Sequence, residues 1–372
     1  MAKIVDGVPK LNFLVEQAHA AATLADAIPD PAGKRFAASG VFVALDSFLA
    51  LARQTRNAIP TSKQNRSDLA KAKASLNELA DRDWGPYGPL RDRLSAHRQP
   101  LDSDGVGAWA AANELWAEID APLIGVLCDD MATIYAMLAP HCGGAPFAAP
   151  ALSPAAAAAL AQAPGFQPRE GVSIASGSFG ETIAATISPL QGGEVGQRLR
   201  EIGDTINAFN CFAEISQCVT AELPFGRAAL RSAILEAANI IELVFEVPGG
   251  RAPENYFEPL VDLIPSNYQE AGELRLERSR LRDADIQWLR GLRNSVAGHL
   301  DAEQPLAQLL AALDASPPAR LNGLFGAVCE ALTSVDQRHP ITLLSPLVRL
   351  YGKRLQGVER VDPPDLSHPF DG

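Results

Sequence analysis

The stretch IQWLRGLRNSVAGHL, Ile286 to Leu300, sets Ile286, Leu289, Leu292, Val296 and Leu300 at steps of 3, 3, 4 and 4 residues. That interval keeps apolar side chains on one face of an α-helix. The same signal recurs on both sides of it. Lys10 to Ala27 and Lys34 to Ala58 read as two helices, separated by a turn carrying Pro29, Pro31 and Gly33. Ser67 to Ala80 reads as a third, and Asp104 to Ala139 as one long or two shorter helices. Helical spacing returns at Gly196 to Glu222 and Gly226 to Val247, and continues in Leu306 to Leu313 and Leu321 to Thr333. The chain is therefore expected to be all-α.

Between the two helical halves, Pro140 to Pro168 is rich in Ala, Pro and Gly and reads as a linker with one short helix. Val172 to Ile187 is rich in Ser, Thr, Gly and Ile and reads as a small β-hairpin or as irregular chain. The expected division is a first helical domain at 1–140, a linker and irregular segment at 141–194, a second helical domain at 195–361 and an extended tail at 362–372. A length of 372 residues suits two domains of about 150 residues each.

Hydrophobic residues make up 47% and charged residues 20%, a composition that folds. A net charge of −12 argues against indiscriminate binding to nucleic acid or anionic lipid. Two local basic stretches run against that balance. Arg53 to Arg98 holds ten Lys or Arg against five acids, and Arg275 to Arg293 is dense in arginine; both also read as solvated helix faces carrying i,i+4 ion pairs. The opening MAKIVDGVPKLNF lacks the basic start and apolar run of a signal peptide. The apolar stretch Ile119 to Pro140 is broken by Asp129 and Asp130, so no membrane association is expected and the location is read as cytoplasmic. Five cysteines without a CxxC pair read as reduced thiols, and neither a metal site nor a cofactor is expected.

The chemistry-bearing signal is a repeat. Arg91, Asp92, Arg93, Leu94, Ser95, Ala96, His97 aligns with Arg293, Asn294, Ser295, Val296, Ala297, Gly298, His299, and a leucine precedes each copy. One Arg–His pair at this spacing means little in a chain of this length. Two that also agree in an Asx, an aliphatic and two small residues read as an internal duplication. On an ideal helix, positions six apart lie about 120° around the axis and about 9 Å along it, so one copy does not easily close its own Arg-to-His contact. A cleft to which each copy brings its pair solves this.

Arg91-Asp92 to His97 and Arg293-Asn294 to His299 resemble the signature of the HEPN superfamily, an arginine, a polar residue and a histidine after four to six positions. The resemblance covers about 1–140 and 195–350. It implies two related bundles of four or five helices and a metal-independent endoribonuclease whose site forms where the bundles meet, as an intramolecular pseudo-dimer or a homodimer. Arg91, His97, Arg293 and His299 would be catalytic, Asp92 and Asn294 would orient them, and Arg93, Arg98 and Arg290 would bind RNA. A histidine titrating near neutrality moves the 2′-hydroxyl proton while an arginine fork holds the phosphate. The alternative is a non-catalytic helical binding or scaffold protein of a bacterial defence or toxin system, with RNA, a nucleotide or a protein such as an antitoxin as partner. An Arg and an Asx near a helix end are also ordinary capping and packing residues.

Other patterns carry less. Ser176 to Gly180 is spaced like a kinase glycine-rich loop, but no further kinase motif follows. Ala32-Gly33-Lys34 lacks the rest of a phosphate loop. Asp129 and Asp130 point about 100° apart on a helix and make no acid/base pair. His141-Cys142 has no third ligand nearby in sequence, and His19, His339 and His368 have no evident partners.

Overall fold

The structure, a computed structural model, describes residues 6–84, 121–163, 194–219, 221–245, 259–264, 268–298, 300–315 and 318–338. Among the described residues there are helices and no strands. The stretch 172–187 and the tail 362–372 lie outside the described residues, so the hairpin expectation is not addressed by them.

Helix α1 (Gly7–Ala27) seals Leu11, Leu14, Val15 and Ala18 completely and ends at Ile28, ahead of Pro29. Helix α2 (Pro31–Ala58) begins three residues before the expected Lys34. Pro31 sits in its first turn, where a missing N–H costs nothing, and the Asp30 carboxylate accepts from the Gly33 N–H at 2.6 Å. Pro29 lies in the connection read as a turn, whereas Pro31 and Gly33 belong to the helix. Helix α3 (Arg66–Glu78) runs into a π-helical turn at Leu79–Trp84. Helix α4 (Ala121–Leu138) follows, with a 3-10 turn at Ala139–Cys142. These four pack together, α1 on α2 and α4, and α3 on α2 and α4.

In the Ala/Pro/Gly-rich stretch the described residues include a short helix, α5 (Pro154–Gln162). Ser153 caps it, accepting from Ala156 N–H at 3.2 Å. The second half is built from α6 (Glu194–Cys218), α7 (Leu223–Val244), a single turn α8 (Leu260–Leu263), α9 (Gln269–Arg278), α10 (Asp283–Leu292), α11 (Leu306–Asp314) and α12 (Pro318–Arg338). Helix α7 is its axis: from Arg231 to Val244 every residue is buried, and α6, α10, α11 and α12 all pack on it. Phe209 of α6 stacks on Phe325 of α12 with centroids 3.8 Å apart.

The two halves share one core. Helix α1 also packs on α7, α2 packs on α6, and the buried apolar residues of both halves form a single continuous cluster. Polar contacts reinforce the join. Gln17 of α1 donates to the Pro224 carbonyl at 3.2 Å, and Ser153 donates its backbone N–H (3.1 Å) and its hydroxyl to the Glu222 carboxylate at the start of α7. Among the described residues, two segments, Gly33–Ala58 and Leu123–Cys142, are long and apolar enough to cross a membrane by length and composition; 67% and 44% of their most apolar windows are buried inside the protein.

Candidate functional site: the turn after helix α10

Helix α10 is built as its sequence suggests. Asp283 and Asp285 lie in its first turn, where the helix dipole favours negative charge, and Ile286, Leu289 and Leu292 are buried. At Arg293 the α-helix gives way to a π-helical turn, Arg293–Ala297, in which the Gly298 N–H donates to the Arg293 carbonyl at 2.8 Å. That bond closes five residues on rather than four, so the turn is wider than an α-turn. The ideal-helix angle between motif positions does not apply here, because the second motif is not on an ideal helix. Single-turn π segments inside helices occur frequently at functional sites.

Two residues of α7 grip this turn. Arg231 donates from Nε to the Val296 carbonyl (2.9 Å) and from Nη2 to the Ala297 carbonyl (3.1 Å), satisfying acceptors that the end of a helix leaves open. Its guanidinium also lies 5.5 Å from the Phe13 ring of α1, and burial pulls its pKa down to about 10. It thus keeps its charge at neutral pH and faces the negative end of the α10 dipole. Glu242, three helical turns further along α7, accepts from Arg293 Nη1 in an ion pair whose side chains are only 4% and 7% exposed. Arg293 Nε donates to the Asn294 side-chain oxygen at 3.3 Å. On the same stretch of α7, Asn239 donates to Glu236 at 3.4 Å. Gly298 sits close-packed: a Cβ there would lie 3.3 Å from both the Arg293 carbonyl and Leu235 Cδ2, a tight contact that one of the two would have to relieve by a small shift.

The structure thus brings Arg293 and Asn294 together and adds Glu242 and Arg231, which the sequence reading did not single out. Their signal was present: a cation and an anion eleven residues apart, hence on one stripe of an apolar helix. Arg290 is half-buried on α10. His299, and Arg91, Asp92, Arg93, His97 and Arg98 of the first copy, lie outside the described residues.

The arginine-dense stretch is laced with carboxylates. Arg275 pairs with Asp262 at 2.8 Å, Arg278 with Asp283 at 3.0 Å, Arg280 with Glu277 at 2.7 Å and Arg282 with Asp285 at 3.6 Å. None of the four is the i,i+4 pair expected of a solvated helix face: two span three residues and two join separate helices. Arg320, paired to Asp285, lies 4.0 Å over the Trp288 ring.

His141 pairs with Asp68 at 3.4 Å, and among the described residues no group of three His, Cys, Asp or Glu is arranged to hold a metal ion. His19 does have partners: its ring lies 5.0 Å from that of Phe147, and its pKa is lowered by burial, against the pull of Asp129 and a hydrogen bond with the Cys128 backbone. None of the five cysteines is in a disulfide: Cys128, Cys211 and Cys329 are buried, Cys218 is half-buried and Cys142 is exposed. Burial, with Asp129 and Asp26 adding to it, pushes Cys128 up to about 12.

The chain matches no family model, no curated protein and no solved structure.

Proposed function

We propose that the chain is a metal-independent endoribonuclease of the HEPN kind, in which two related four- or five-helix bundles each bring an Arg/His pair to a shared cleft. The observation that carries this reading is the anchored Arg293. Its side chain is oriented by Glu242 and Asn294 on a π-turn that Arg231 braces from beneath. A guanidinium has five N–H donors, more than these two contacts use, and its plane matches a phosphate edge. In the proposed reaction the RNA 2′-oxygen attacks the adjacent phosphorus as one histidine, His97 or His299, takes its proton. The bond from phosphorus to the 5′-oxygen breaks, the other histidine protonates that leaving oxygen, and Arg91 and Arg293 offset the charge developing on the phosphoryl oxygens. The products are a cyclic phosphate and a free 5′-hydroxyl.

The test is incubation of purified protein with end-labelled RNA in EDTA, beside the His97→Ala/His299→Ala variant. Cleavage by the wild type alone, leaving cyclic phosphate ends, supports the reading; equal cleavage by both, or none by either, overturns it. A second reading, a non-catalytic binding or scaffold protein of a defence or toxin system, is favoured by the burial of the Arg293–Glu242 pair, the mark of an architectural ion pair. RNA, nucleotide or protein binding without cleavage would select it.

A further inference from the structure

The loop that leaves the second motif is tied to the beginning of helix α1. The Asp301 N–H donates back to the Ser295 carbonyl at 2.9 Å, so the loop is continuous with the π-turn. Asp301 then knits the loop internally, accepting from the Glu303 N–H at 2.8 Å and from Gln304 Nε2 at 2.9 Å. From the other side, Lys10, fully buried in α1, donates from Nζ to the Ala302 carbonyl at 3.0 Å. Asp6 accepts from the Leu306 N–H at 2.9 Å and so caps α11, where the Pro305 N-cap position has no side-chain acceptor to offer. Burial lowers the Lys10 pKa, and Asp6 and Asp301 act against that shift by favouring the ammonium.

Asp6 holds an uncommon backbone to do this. With φ 54° and ψ 40° it is the one non-glycine residue at positive φ among the described residues. Aspartate tolerates the left-handed region better than most residues, and such conformations persist where surrounding contacts fix them.

We infer that Asp6 and Lys10 are positioning residues for the second motif, a latch by which the start of α1 fixes residues 300–306 and, through the Asp301–Ser295 bond, the turn that begins at Arg293. The latch joins positions almost 300 residues apart in sequence, with separations of 292 and 300 for its two hydrogen bonds. The effect on catalysis rests on the ribonuclease reading; the mechanical coupling does not.

Hydrogen exchange of the full chain, followed over residues 295–306 and over α7 as internal control, tests it. Asp6→Gly keeps the left-handed backbone available but removes the cap, Lys10→Met removes the donor in a volume the core accepts, and Asp6→Asn retains both acceptor and backbone. The first two should speed exchange over 295–306 by about threefold or more with α7 unchanged, and Asp6→Asn should stay near wild type. No change over 295–306 in both Asp6→Gly and Lys10→Met, or equal acceleration throughout α7, overturns the latch. In the RNA assay Asp6→Gly should lower kcat with little change in KM, and Asp6→Asn should restore it; unaltered kcat despite faster exchange overturns the positioning role. If the wild type cuts no RNA, the ribonuclease reading falls by itself and the exchange result still decides the latch.

Discussion

Replacing Glu242 by glutamine removes the charge that faces Arg293 while keeping the shape of the side chain. Both partners are at least nine-tenths buried, so solvent cannot step in for the lost carboxylate. Removing one member of a buried pair costs about 3–5 kcal/mol, most of it from stranding the remaining charge. The glutamine carbonyl can still accept one hydrogen bond, which places Glu242→Gln at the low end, about 3 kcal/mol. With a urea slope of about 3 kcal/mol per molar, the unfolding midpoint should fall by about 1 M. Arg293→Met should destabilise comparably, yet the double variant should recover much of the loss, because a glutamine facing a methionine leaves no uncompensated charge buried. Urea denaturation of the four proteins, monitored by far-UV circular dichroism, gives the coupling directly. A midpoint within 0.2 M of wild type for Glu242→Gln, or strict additivity in the double variant, would show that this pair does not anchor the turn.

Two further outcomes follow from local geometry. Gly144→Ala would put a Cβ at 2.6 Å from Val8 Cγ1 and 2.8 Å from Ala139 Cβ, so overpacking at the α1–α4 junction should cost about 1–3 kcal/mol and lower Tm by several degrees, read by calorimetry; an unchanged Tm refutes the contact. Arg227 holds Asp314 through two hydrogen bonds, at 2.8 and 2.6 Å, which lowers the Asp314 pKa from 3.8 against the opposing effect of burial. A depressed carboxylate stabilises the fold above its unfolded pKa and loses that contribution as pH falls through the folded one. The stability gap between wild type and Arg227→Met, about 1 kcal/mol for a partly exposed pair, should be constant above pH 5 and shrink below pH 3.8; a gap independent of pH refutes the pairing.

The helices were legible where one apolar face repeats over many turns. Leu199, Ile202, Ile206 and Phe209 announce α6, and Leu230, Ile234, Ile241 and Val244 announce α7, although α7 is buried all round from Arg231 to Val244 and its periodicity marks only the apolar part of that enclosure. Helix α9 was not legible, since QEAGELRLER seals only Ala271 and Leu274 among its apolar side chains while burying Glu270 and Glu277. Its burial depends on Arg338 of α12, which meets Glu277 at 2.8 Å, and no local pattern encodes a partner 61 residues away. The start of α2 was misread because proline marks a turn in most contexts and a first helical turn in this one, the Asp30 cap making the difference.

At the candidate site the sequence exposed the motif but not its support. Arg293 and Asn294 stand next to each other in the chain, whereas Glu242 and Arg231 reach the turn from 51 and 65 residues away. The π-turn itself depends on tertiary structure, because carbonyls displaced from the helical ladder need Arg231 to receive them.

Helix α7, enclosed by α1 on one side and by α6, α10, α11 and α12 on the others, decides how the polypeptide can be divided. The Ala/Pro/Gly-rich interval looks like a place to cut, but a break there would not release two self-sufficient pieces. The later fragment would carry the α1-facing side of α7 bare, with Arg231 stripped of its aromatic neighbour Phe13 and the loop at 300–306 unmoored. The earlier fragment would expose the matching surface of α1. Co-expressed, the two should find each other and be recovered as one complex; expressed singly, each should aggregate, so that the unit of folding is the whole molecule.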